Sequence, residues 1–411
     1  MTTNTNEIQF SKHKKNLYTG SILSFLSILF SVLFSASDAT LASVWMLSNV
    51  TGFTLQRSRF CFASGFRDLF LFGSGFTLKG ILTGLFISTV GFSAIMHWLV
   101  PNTGLGMLPP EAHIFPVGLS TITGGLIFGF GMVIAGGCVS GSLYRLGEGY
   151  VTSISSILGI SIGMILAMMS WDWWNNNVIK YEPTLWLPQI QNIGYSWSIV
   201  ITTITISALF LLVNYWESKT GIIDTNINEN QNPAYTFPEK IFHYFKSIFL
   251  KSYSPILGGS ILGILGILMF IVKKPIGVTG GLSHVIAIPL TKTGLISSET
   301  VSSLNELGGC TSSNESLVNS SFMMTFGVIF GSFVASIISG EFKIRTPKNK
   351  NRYLQSGLGG ILMGYGATLS LGCTIGAFFS SIPSLSLSGW VFAIALGIGS
   401  FIGTKVINRL I

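Results

Sequence analysis

Two cysteines, Cys138 and Cys373, each follow a glycine inside a glycine-rich stretch, and the two stretches repeat one another. Gly129, Gly131, Gly137, Cys138 and Gly141 match Gly364, Gly366, Gly372, Cys373 and Gly376 at one constant offset. A thiol is soft and polarisable, and it is a weak hydrogen-bond donor. A glycine break beside it exposes backbone N–H groups at the start of the next helical piece, a position that favours anions. A third thiol, Cys61, follows the polar run Gln56-Arg-Ser-Arg59 and precedes Arg67 and Asp68. Charged groups inside a membrane are functional candidates by default; the plain alternative is a helix end with snorkelling arginines. The candidate substrate pathway is therefore Cys61, Cys138 and Cys373 with Gly136, Gly137, Gly372, Arg57 and Arg59.

The elements that must position these groups are membrane helices. Only 9% of the 411 residues are charged and 48% are hydrophobic, with a mean hydropathy of +0.62. About a quarter charged is usual for a soluble domain. Residues 17–36, 39–56, 80–110, 149–171, 183–216, 252–272, 316–340 and 353–404 contain no Asp, Glu, Lys or Arg. A spanning helix needs about 20 apolar residues, so the longer runs hold more than one span or a re-entrant piece. The fold class is an all-α polytopic membrane protein with roughly nine spanning helices. The 48 glycines suit close helix packing and broken helices. Residues 1–16 are polar and lack a secretory cleavage site, so the N-terminus is expected to be retained.

Basic residues cluster at 12–15, 57–67, 240–251, 343–352 and 405–409, whereas the connections 101–116, 172–196 and 293–315 are poor in them and hold Glu111, Asp172, Glu182, Glu299, Glu306 and Glu315. The positive-inside rule makes the first set cytoplasmic, with both termini. Lys273-Lys274 fits this badly and is read as flanking a short re-entrant piece, residues 276–290. The segment leading to Cys138 then runs inward and the one leading to Cys373 runs outward, which is an inverted repeat. The chain reads as one transmembrane transporter domain: a first half at about 17–216, a polar cytoplasmic linker at 217–251 and a second half at about 252–411. Such repeats place their substrate site near the bilayer midplane, where the halves meet.

What is missing narrows the chemistry. The net charge of +8 comes from residues beside spans and does not indicate nucleic-acid binding. No CxxC pair, zinc spacing, phosphate loop or HExxH motif is present, so no cofactor is expected. His97 and His284 read as packing residues, the tryptophans around 171–197 as an interfacial belt against lipid, and Cys310 as peripheral. Thiols, hydroxyls and helix ends remain, a set that favours a soft, sulfur-containing anion over a metal cation or a sugar. A membrane thiol enzyme that forms a persulfide or disulfide is the competing reading, weakened by the absence of a Cys–His base pair. A sensor or scaffold is a third.

The stretches Gln56-Arg-Ser-Arg-Phe-Cys61-Phe with Phe66-Arg-Asp68, Gly136-Gly-Cys138-Val-Ser-Gly-Ser-Leu-Tyr-Arg-Leu-Gly-Glu-Gly149 and Gly372-Cys373-Thr-Ile-Gly376 resemble the YeeE/YedE family of sulfur-compound transporters. The resemblance spans nearly the whole chain. It implies an inner-membrane permease that takes up thiosulfate through a narrow waist lined by three cysteines, which fall on Cys61, Cys138 and Cys373. It also implies a small cytoplasmic TusA-like sulfur-carrier partner. Other branches are associated with selenium. The second half departs from the pattern, since Leu371 precedes Gly372 where the first half has a Gly-Gly pair.

Overall fold

The computed structural model describes residues 2–36, 38–220, 252–307 and 318–410. Cys310 and most of the linker lie outside the described residues. The regular elements are helical, joined here and there by isolated bridges. Eight described helices are long and apolar enough to cross a membrane, or nine if a pair bent by 47° counts as one broken span. The expected multi-pass architecture is borne out.

The first half contains α1 (Thr2–Ser35), α2 (Ala39–Ser58), α3 (Phe62–Phe72), α4 (Phe76–Leu99), α5 (Leu119–Ala135), α6 (Val139–Gly147) and α7 (Val151–Met169). A short α8 (Trp171–Asn177) and the long α9 (Gly194–Thr220) follow. The second half contains α10 (Pro255–Val272), α11 (Gly280–Lys292), α12 (Ser298–Glu306), α13 (Ser320–Ile338), α14 (Asn351–Leu369), a π-helical turn (Thr374–Ser380) and α15 (Leu387–Leu410). Side-chain caps start several of these helices. The Asp38 carboxylate accepts from the Thr40 and Leu41 N–H groups ahead of α2, and Ser254 does the same for Leu257 ahead of Pro255.

Burial sorts the spans. Only 11% of the apolar stretch of α1 and 22% of that of α9 is buried, against 67% for α13. α1 and α9 therefore face lipid at the rim, and α13 is central. Four long helices from each half make the main contacts, and they do so reciprocally. α2 packs on α13 while α10 packs on α4; α7 packs on α14 while α15 packs on α5. Glycine makes the approach possible. A Cβ on Gly364 would overlap the Ile160 carbonyl oxygen, so α7 and α14 meet backbone to backbone.

The same contacts establish the inversion. Gly124 meets Gly366 and Gly131 meets Gly359 across the α5–α14 contact, so the two helices that precede the repeated breaks are antiparallel. Bridges mark the two faces: Pro116 with Thr184 and Trp186 with Ser386 on the acidic side, Tyr150 with Arg345 on the basic side.

Candidate functional site

Each repeated break is a helix that stops and restarts. α5 ends at Gly136, which adopts φ 77°, and α14 ends where Leu371 adopts φ 58°. The offset that pairs Cys138 with Cys373 pairs Gly136 with Leu371, so the second half holds a leucine in the left-handed conformation that the first half gives to glycine. For a non-glycine residue this conformation costs roughly 1–2 kcal/mol. Burial of the Leu371 side chain, 4% exposed, offsets the cost by about the same amount.

Cys138 then caps α6 in extended geometry, and Cys373 stands at the head of the π-helical turn in nearly the same geometry. The Cys138 Sγ accepts from the Gly141 N–H at 3.4 Å and lies 3.2 Å from Ser140 Oγ. Cys61 stands at the head of α3 in the same way, and its Sγ is 3.8 Å from the Cys138 Sγ. All three thiols are at most 1% exposed. Gly141 is obligatory here, because a Cβ there would come within 2.7 Å of the Cys61 Sγ.

The second half builds a matching pair with one substitution of chemistry. α11 occupies the place of α3, a short helix entered from a break, and Thr279 stands at its head where Cys61 stands at the head of α3. The Thr279 side chain faces the Cys373 thiol, as Cys61 faces Cys138. The hydroxyl of Thr374, next to Cys373, is buried without a protein hydrogen-bond partner, and such groups are uncommon enough to call for an explanation. The two breaks touch. Phe62, the residue after Cys61, packs edge-on against Phe379 at 5.5 Å and Phe378 at 6.3 Å in the π-helical turn.

Cavities approach this layer from opposite faces and share no lining residue. The larger, about 810 Å³, opens on the acidic side and reaches Leu371, Gly376, Gly277 and Gly280. Lys273 and Lys274 line it beside Asp38, Glu111 and Glu306, and the Lys274 ammonium donates to Ser321 Oγ at 3.0 Å. The smaller, about 260 Å³, opens on the basic side and reaches Gly136 and Gly137.

His113 forms part of the inner wall of the larger cavity, in the connection before α5. Its Nδ1 lies 3.2 Å from the Gly376 carbonyl oxygen, to which a neutral Nδ1–H donates. Burial, then the positive Lys274, push its pKa down to about 4 against the pull of that carbonyl. An unfolded His titrates near 6.5, so the unfolded chain takes up the proton first. The stability contributed is complete above about pH 6.5 and is lost as pH falls toward 4. Thermal unfolding in detergent at pH 7 and pH 5 is expected to show this loss in wild type and a smaller one in His113→Gln. The same loss in both would remove His113 as its source.

Of the residues singled out from sequence, the structure brings Cys61 and Cys138 together. It places Gly136 and Gly137 on the smaller cavity, and Gly372 and Cys373 at the matching break. Arg57 and Arg59 line neither cavity. Arg57, 1% exposed in its side chain, sits 3.6 Å from the Glu341 carboxylate, and the largely exposed Arg59 reaches the same carboxylate at 3.4 Å. Gln56 donates to Glu341 at 2.8 Å and to Glu148 at 3.0 Å, completing a polar staple. His97 packs edge-on against Tyr195, and His284 is buried on α11. Sequence reasoning did not single out Thr279, His113, Arg145 or Arg352 for the pathway, and it read Lys274 only as flanking a re-entrant piece. Thr279 had a usable signal, because it opens the glycine-rich piece already read as re-entrant.

A profile of a family described as sulphur transport matches residues 57–402. A thiosulfate transporter, TsuA, of Spirochaeta thermophila is 31% identical over 370 residues, covering 87% of this chain and 96% of the relative. The protein of the same name in Escherichia coli is 26% identical, covering 85% and 89%. A probable transporter of E. coli, YedE, is 43% identical over 83 residues, 20% of this chain.

Proposed function

The chain belongs to the sulphur transport family, and on that footing we propose that it is an inner-membrane permease that imports thiosulfate or a close sulfur oxyanion. The observation that carries the reading is the layer of buried thiols at helix starts between two opposed cavities. Positive-inside bias makes the arginine-rich face cytoplasmic, so substrate enters from the larger cavity. The two lysines offset the nearby acids there and hold the anion at the entrance. Cys373 with Thr279, then Cys61 with Cys138, hand it across by S–H and O–H hydrogen bonds, with N–H groups of the broken helices beside them. The thiols serve this role in the neutral form, because a thiolate would repel a dianion; an ordinary Cys is mostly protonated at neutral pH. The Phe62–Phe379 contact closes the path to water between passages.

The driving force follows from what the path lacks. Among the described residues, no carboxylate stands beside the thiols to bind Na⁺ or relay a proton. Entry of a dianion into a negative interior is opposed by roughly 2.3 kcal/mol per charge per 100 mV. Import then relies on removal of the substrate inside, the role suited to a TusA-like sulfur-carrier partner.

Uptake of labelled thiosulfate into cells or vesicles tests the reading. Sulfate has the same charge and shape but lacks the terminal sulfur, so from the outside it is expected to compete weakly. Equal competition would mean that the path reads charge alone, and absence of uptake would sink the permease.

A further inference from the structure

The smaller cavity differs chemically from the thiol layer it leads to. Arg67, Arg145 and Arg352 converge on it, and among the described residues no carboxylate and no thiol lines it. Arg67 shares its charge with neighbouring Asp68 at 2.8 Å. Among the described residues, Arg145 and Arg352 have no carboxylate partner within salt-bridge distance. Arg145 spends one donor on the Gly136 carbonyl at 2.7 Å, which fixes its guanidinium against the break. A guanidinium has five donors in all, so donors remain for a ligand beyond those spent on Gly136 and on the Tyr144 side chain. Three cations sharing one cavity repel each other unless a counter-charge or water lies among them. Buried hydroxyls of Ser142 and Ser153 add polar wall. At about 260 Å³ the space holds a small oxyanion with several waters, each taking about 30 Å³.

We propose that this cavity is an oxyanion-binding site in which Arg352 and Arg145, assisted by Arg67, hold the substrate on the basic face after it has passed the thiols. The inference rests on the transport reading above and deepens it. Discrimination and release are divided: the thiol layer recognises sulfur, whereas the arginine cavity recognises only the charge and oxygens of a divalent anion. Sulfate therefore occupies it as well as thiosulfate does. Arginine suits the task because its planar fork matches oxyanion geometry.

Right-side-out and inverted membrane vesicles present the two faces separately, so labelled thiosulfate entry is measured in both, with protein amounts matched. Arg352→Gln and, independently, Gln355→Glu, which places a carboxylate in the cavity wall, are each expected to raise the half-saturating concentration roughly fivefold. The shift should be confined to one vesicle orientation, with Arg352→Lys, which keeps the charge but loses the planar fork, intermediate between Arg352→Gln and wild type. In that same orientation, unlabelled sulfate is expected to compete about as well as unlabelled thiosulfate. Wild-type half-saturation in both Arg352→Gln and Gln355→Glu would overturn the cavity as a site while leaving transport intact, and so would equal shifts in both orientations. Failure of the wild type to transport in either vesicle type would instead overturn the permease reading itself.

Discussion

Cys138→Ala and Cys373→Ala are each expected to lower thiosulfate uptake roughly 10- to 100-fold while the protein still accumulates in the membrane. The magnitude is that of one hydrogen bond to a charged group, worth about 1.5–3 kcal/mol, expressed as a rate or affinity ratio. The Cys138 sulfur meets Cys61, Ser140 and the Gly141 N–H at once. Cys→Ser keeps a donor in place and should retain part of the activity, whereas a mechanism that forms a persulfide on sulfur would lose everything. Thr279→Val keeps the shape of the side chain and removes its hydroxyl, so an intermediate loss is expected. Uptake within twofold of wild type in both alanine variants, with equal protein in the membrane, would end the thiol relay.

Glu341→Ala is expected to destabilise the fold by about 2–3 kcal/mol, measured by chemical or thermal unfolding of the purified protein in detergent. Removing one partner of a buried pair leaves the other charge stranded, and Arg57 is the buried one. The estimate lies below the full penalty for a buried pair because the Glu341 side chain is 29% exposed and water reaches it. Glu341→Gln should cost less, because it still offers an oxygen to Gln56. Adding Arg57→Met to Glu341→Ala should recover part of the loss, since an apolar side chain of similar size suits the site left behind. Wild-type stability in Glu341→Ala would show that Arg57 draws its stabilisation from elsewhere.

These two sites also mark what the sequence conveys and what it withholds. The thiols were legible because a Gly-Cys break repeated at a fixed offset is a local pattern, and its meaning survives without knowing what packs on it. The role of Arg57 was not legible, because its partner lies beyond the repeat on another element and only the fold joins them. Beside Cys61 the arginines looked like groups for an anion; folded, one is consumed by a carboxylate and the other is solvated. Lys273-Lys274 disturbed the positive-inside pattern for a physical reason, since the pair sits in a break facing the larger cavity. Thr279 stayed hidden because the counterpart of Cys61 changed chemistry. The departure at Leu371 was visible in sequence, but its left-handed backbone was not.

The reciprocal packing of the helices bears on how the chain must assemble. Among the described residues the largest helix contacts cross between the halves: α2 packs on α13, and α5 on α15. Such an arrangement is what two inverted copies of one small protein would form if they clasped each other as a dimer. A linker joining two such copies would act as a tether that raises the local concentration of one around the other. Joined copies would be free to differ, as the Cys61 thiol at one helix start and the Thr279 hydroxyl at the other do. A symmetric pair of identical subunits would present the same chemistry to both sides of the membrane. A fused pair is free of that constraint, and here one face displays lysines mixed with acids and the other a cluster of arginines.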